Sequence, residues 1–202
     1  MLISDQIQCV DFPCGDIVTD AYAVPEIDID PLGISVIMIS EVSPLDQNDH
    51  FYAPGTPFYL ETTLQAFNNA GVDASSIDDI LSLGVYITTA IKCAKTDYAI
   101  SSHTINNCTK LLQKELSLFP NVKVIMLMGD VAIKAMNQIA REQLGKRVIP
   151  SGSTYKIRKN LYYYRDTRLF PSYILTGKNF LIEKSKRRMI VEDITEALRL
   201  VR

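Results

Sequence analysis

Residues 84–108 read GVYITTAIKCAKTDYAISSHTINNC, and the fold turns on how this stretch is parsed. β-Branched and aromatic residues fill 84–91 with no charge before Lys92, the composition of a buried strand. Cys93 follows at once, then a polar loop, then a helix capped by Ser101 or Ser102. That helix runs to about Leu118 with Ile105, Cys108, Leu112 and Leu116 on one face. Outward from here the same alternation repeats. Residues 34–40 (ISVIMIS) and 122–128 are short apolar runs of strand length, and Gly129-Asp130 opens a helix whose inner stripe is Val131, Ala135 and Ile139. A helix over 60–70 is closed by Gly71, and Ser75 or Ser76 caps a short one with Asp78 and Asp79 in its first turn. Strand, helix, strand, helix predicts a mainly parallel α/β sheet.

Elsewhere the pattern changes. Pro13, Pro25 and Pro31 make residues 1–32 irregular, residues 148–164 suggest a hairpin, and a charged amphipathic helix over 180–201 closes the chain. At 202 residues the chain suits one domain, 1–202, and 47% hydrophobic with 22% charged residues is globular. Neither a basic leader nor an apolar run of membrane length is visible, so a cytoplasmic monomer with no membrane partner is expected.

Net charge conceals an asymmetry. Residues 1–91 hold 14 Asp/Glu and no Lys or Arg, while residues 92–202 hold 21 Lys/Arg against 9 Asp/Glu. The halves, at −14 and +12, either attract one another in the fold or leave a basic surface for a polyanion.

Four cysteines, Cys9, Cys14, Cys93 and Cys108, form two separated pairs. In a reducing compartment such an arrangement points to a tetrathiolate metal or iron-sulfur site rather than disulfides, with four unligated buried thiols as the plain alternative. In a parallel sheet the ligand site lies beyond the carboxyl ends of the strands, so Glu41, residues 88–93 and Gly129-Asp130 should converge on one crevice. His50 and His103, in or beside polar loops, read as surface histidines. Asp46, Asn48 and Asp49 lack the remaining spacing of a calcium loop.

The order ISEVSP, GTPF (55–58), YITTAIKC with a second cysteine fifteen positions on, VIMLMGDVA and FPSYIL resembles the uracil-DNA glycosylase superfamily. The likeness is to its iron-sulfur branch, families four and five, with motifs of the kind GEAPG, GxPF, TNxxKC, LGxxA and HPSxxLR, and it covers Cys9 to Leu175. The resemblance implies a three-layer α/β/α fold with a central, mainly parallel four-stranded sheet. It implies a 4Fe-4S cluster on Cys9, Cys14, Cys93 and Cys108, a structural role for which soft thiolates suit iron. The C-x4-C spacing of the first pair, where C-x2-C is usual, keeps zinc as an alternative.

By the same resemblance the protein is a DNA-repair enzyme of base excision, a hydrolase that extrudes uracil or another deaminated base from DNA and cleaves its N-glycosidic bond. Glu41 would guide water, Thr89 would read the base edge, and Phe58 would stack on the base, with Phe170 and Ser172 in the base-facing HPS positions. Lys178, Arg168 and Lys156 would contact phosphates, together with Arg158, Lys159 and Arg165, on single- or double-stranded DNA. Thr89 and Phe170 replace the family's asparagine and histidine, and Ser40 and Pro44 replace the glycines of GEAPG. Losing one hydrogen-bond donor to the developing anion typically costs roughly a hundredfold in rate. The implied enzyme is therefore weak or altered in specificity; the alternative is a nucleic-acid-binding member without catalysis.

Overall fold

The chain is seen in a computed structural model that describes residues 1–176 and 183–201. In chain order its strands are β1 (Ile17–Val18), β2 (Val36–Val42), β3 (Val85–Ile91), β4 (Ala94–Lys95), β5 (Val124–Met128), β6 (Tyr162–Tyr164) and β7 (Thr167–Ser172). The helices are α1 (Phe58–Asn69), α2 (Ile77–Ser82), α3 (Ser102–Leu116), α4 (Asp130–Leu144), α5 (Thr154–Ile157) and α6 (Lys184–Arg199).

The central sheet has the order β3-β2-β5-β7-β6. Its first four strands are parallel, and β6 adds an antiparallel edge through a hairpin to β7. The four parallel strands match expectation. The fifth arises because the hairpin lies later than residues 148–164 suggested, at Tyr162–Ser172, and the start of that segment forms the single helical turn α5.

Alternating side chains assign the two faces. Val36, Met38, Val85, Ile87, Val124 and Met126 point to one side, where α1, α2 and α6 cover them. Ile37, Ile39, Tyr86, Ile125 and Leu127 point to the other, under α3 and α4. The result is three layers, α/β/α. Ile37 and Ile39 are wholly buried, and each such side chain contributes about 1.5–3 kcal/mol.

Three local devices follow from the sequence. Ser101 accepts the Thr104 N–H at the start of α3, and Ser76 and Asp79 form a reciprocal capping box on α2. The free edge of β3 is blunted by Tyr52, whose hydroxyl accepts from Ile87 N at 3.0 Å and donates to Ile87 O at 2.8 Å. On the opposite flank, Arg158 of the turn after α5 makes a buried pair with Asp193 of α6, which also accepts from Ser172 Oγ at 2.7 Å. Buried charges are tolerated only when paired in this way. None of the described helices is long and apolar enough to cross a membrane.

Candidate functional site

At the carboxyl end of β2, Glu41 reaches across to the first turn of α4, where its Oε1 accepts the Val131 N–H at 3.1 Å. The helix has glycine at its N-cap, so a carboxylate from the neighbouring strand supplies the cap. Gly129 has φ +115°, and a Cβ there would lie 2.5 Å from Glu41 Oε1 and 2.7 Å from Ile174 Cγ1. Only glycine lets the carboxylate approach. Burial pushes the Glu41 carboxyl above its ordinary range, while the Val131 and Asp130 amides and the Lys95 ammonium pull against that shift.

Tyr59 and Thr176 share this corner. Burial raises the Tyr59 phenol, the Thr176 hydroxyl counteracts it, and the Asp49 and Glu41 carboxylates add to the rise. Thr176 Oγ1 stands 3.4 Å from Ser40 Oγ. Phe58, the first residue of α1, is half-buried and packs into neither hydrophobic cluster of the core. Glu41, Tyr59, Thr176 and Ser40 therefore come together, with Phe58 one residue away.

At the end of β3 lies a feature the sequence reading missed. The Lys92 ammonium is completely buried and donates to Glu115 Oε2 at 2.5 Å, Thr88 Oγ1 at 2.7 Å and Thr89 O at 2.8 Å. Glu115 Oε1 in turn accepts from Tyr86 at 2.7 Å and Thr88 at 2.8 Å. The Lys92 backbone continues the linkage, with its N–H donating to Cys108 Sγ at 3.2 Å and its carbonyl accepting from Ala23 N at 2.7 Å and Ser43 Oγ at 3.0 Å.

All four cysteines line one cavity of about 300 Å³ between the N-terminal segment, the end of β3 and α3. Burial, with the other cysteine sulfurs nearby, pushes the Cys93 thiol up to about 12; burial takes Cys108 to about 11 against the Lys92 amide and ammonium. Among the described residues no three His, Cys, Asp or Glu side chains close on a single-ion point. Four thiols around one cavity are the soft donor set that both iron-sulfur groups and zinc take.

Other residues singled out from sequence lie apart. Thr89 is buried with its hydroxyl 3.4 Å from Ser43 Oγ. Phe170 is in the core, 4.5 Å beneath the Arg168 guanidinium, and Ser172 Oγ is engaged by Asp193. Arg168 is itself buried and donates to Tyr162 O, Leu169 O and Asn160 O. These donors stitch the hairpin together and are not presented to a ligand, and Arg158 is likewise internal. Lys156 is exposed on α5, and Lys178 lies outside the described residues.

His103 is exposed, as expected, but His50 is not. The 3-10 turn Gln47–Asp49, capped by Asp46, folds the loop inward and leaves His50 only 6% exposed beside Phe51 and Tyr52. Loop composition could not show this. Glu115 was more legible, since it extends the apolar Cys108 and Leu112 stripe by one further turn.

A family model for the uracil DNA glycosylase superfamily matches residues 37–193. The chain belongs to that superfamily. A Type-5 uracil-DNA glycosylase of Thermus thermophilus is 29% identical over 125 residues, 61% of this chain and 53% of the relative. The chain thus aligns with about half the length of that curated relative. Within the superfamily match fall Glu41, Phe58 and the thiols of Cys93 and Cys108, whereas Cys9 and Cys14 precede it.

His50 gives this site a pH signature. Burial, with the Lys92 charge nearby, lowers its pKa from 6.5 to about 4. The unfolded chain therefore takes up the proton first, so the stabilisation is complete above pH 6.5 and is lost as the pH falls towards 4. The loss amounts to about 3 kcal/mol at most. Urea unfolding of His50→Phe should show a shallower decline across this window than the wild type; equal slopes would contradict the burial of a neutral imidazole.

Proposed function

We propose that the protein is a DNA-repair glycosylase of slow or altered specificity, acting on uracil or another deaminated base flipped out of DNA. The observation that carries this reading is the Glu41 carboxylate, fixed against α4 beside Tyr59, whose neighbour in sequence, Phe58, is a half-buried ring outside both core clusters. Flipping costs a few kcal/mol, which stacking on Phe58 would offset. Glu41 orients a water towards C1′ of the sugar; the C1′–O bond forms as the C1′–N bond breaks, and the water proton passes to the carboxylate. Its raised pKa suits that acceptance. Thr89, whose hydroxyl is buried against Ser43, would support the base-facing wall from behind rather than touch the base.

The departing base needs donors to its oxygens. With Phe170 packed in the core, those at hand are the neutral hydroxyls of Tyr59, Thr176 and Ser40. Neutral donors stabilise an anion less than an imidazolium would, which supports a slow reaction. The same burial of Phe170 favours a second reading, a member that binds nucleic acid without cutting it.

Cys9, Cys14, Cys93 and Cys108 would hold a 4Fe-4S cluster, which when bound supplies iron-thiolate crosslinks between the N-terminal segment, β3 and α3. Zinc is the alternative occupant. Lys156 would take part in phosphate contact from the exposed face of α5.

Two measurements test this reading. Single- and double-stranded oligonucleotides carrying uracil or hypoxanthine, incubated with protein and treated with alkali, should break slowly, and Glu41→Ala should reduce breakage by roughly a hundredfold or more. Retention of labelled DNA without breakage would favour the binder. Anaerobically purified protein should be brown with about four irons per chain, whereas a colourless, zinc-loaded preparation would remove the cluster from the picture.

A further inference from the structure

Along the outer side of α4 runs a groove of about 470 Å³, walled by α3 on one side and residues 147–157 on the other. One end is lined by Asp130, the residue next to the amide that holds Glu41, so the groove begins at the same helix terminus as the candidate site. Its floor is apolar, with Ile105 and Ile133, and its rim carries Lys134, Arg141 and Arg147.

These cations are available. Lys134 pairs with Asp130 at 2.5 Å, but both are more than half exposed, and such surface pairs hold weakly. Arg141 touches Gln138 at 3.5 Å and Arg147 donates to Ser151 at 2.6 Å, and neither has a carboxylate partner among the described residues. From Asp130 to Arg141 the helix rises about 17 Å, which spans about five stacked nucleotides of one strand.

We propose that this groove seats the phosphodiester backbone of the single DNA strand leaving the crevice, with phosphates on the cationic rim and sugar faces on the isoleucine floor. The inference rests on the nucleic-acid reading above and extends it to a defined path. It assigns the strand to the α3/α4 layer; the α6 layer, on the opposite face of the sheet, takes no part.

Affinity for a fluorescein-labelled single-stranded oligonucleotide, measured by anisotropy across a salt series, tests it. Each single-strand phosphate contact contributes about 0.7 to the slope of log affinity against log salt. Arg141→Gln/Arg147→Gln should therefore lower the slope by about 1.4, and the wild-type advantage should shrink about sevenfold between roughly 50 and 200 mM salt. Lys184→Gln/Arg188→Gln, removing equal charge from α6, should keep the wild-type slope. Both pairs are exposed, and unchanged melting temperatures verify the fold. An unchanged slope in the groove variant, or an equal loss in the α6 variant, overturns the path while leaving DNA binding intact. A wild-type protein that binds no strand overturns the nucleic-acid reading itself.

Discussion

Inside the protein, Lys92 and Glu115 form an ion pair from which water is excluded, and the site is hung from it. An unpaired charge at this depth would be intolerable, so each partner fixes the other. Through its side chain Lys92 joins β3 to α3. Through its backbone it reaches Cys108, Ser43 and Ala23, hence the thiol cavity, the loop after Glu41 and the N-terminal segment. One residue at a strand end thus ties the core to both parts of the functional region.

A second constraint is steric. Gly129 is the point where β5 hands over to α4, and its missing Cβ is the space that Glu41 occupies. The carboxylate consequently has a double duty, as a cap for the helix and as the candidate water-positioning group. Its burial raises its proton affinity and its anchoring amides oppose that rise, with burial the larger effect. The groups beside it are the hydroxyls of Tyr59, Thr176 and Ser40, whereas Phe170 lies apart in the core.

Much of this was legible in the chain. The apolar runs gave β2, β3 and β5 to within a few residues, Ser101 and Ser76 announced their helices, and β7, with Thr167 and Arg168 in place of an apolar start, carried no such signal. Cys93 and Cys108, fifteen positions apart, marked the thiol cavity. Harder to foresee were contacts made by polar residues turned inward. Tyr86 and Thr88 on one face of β3 and Lys92 just past its end all meet Glu115, an arrangement concealed by the expectation that lysine faces water. Arg158 and Arg168 deceived in the same manner, reading as a basic surface while binding Asp193 and the hairpin carbonyls. His50 depended on a short 3-10 turn whose direction no local composition specifies.

The dependence of the region on the buried pair is tested most directly by a double-mutant cycle. Lys92→Met and Glu115→Leu, singly and together, are compared in urea unfolding, with limited proteolysis of the N-terminal segment alongside. Each single change should cost about 3–5 kcal/mol and expose that segment, whereas the double change should recover most of the loss. Simple additivity of the two losses, with the segment equally protected throughout, would contradict it.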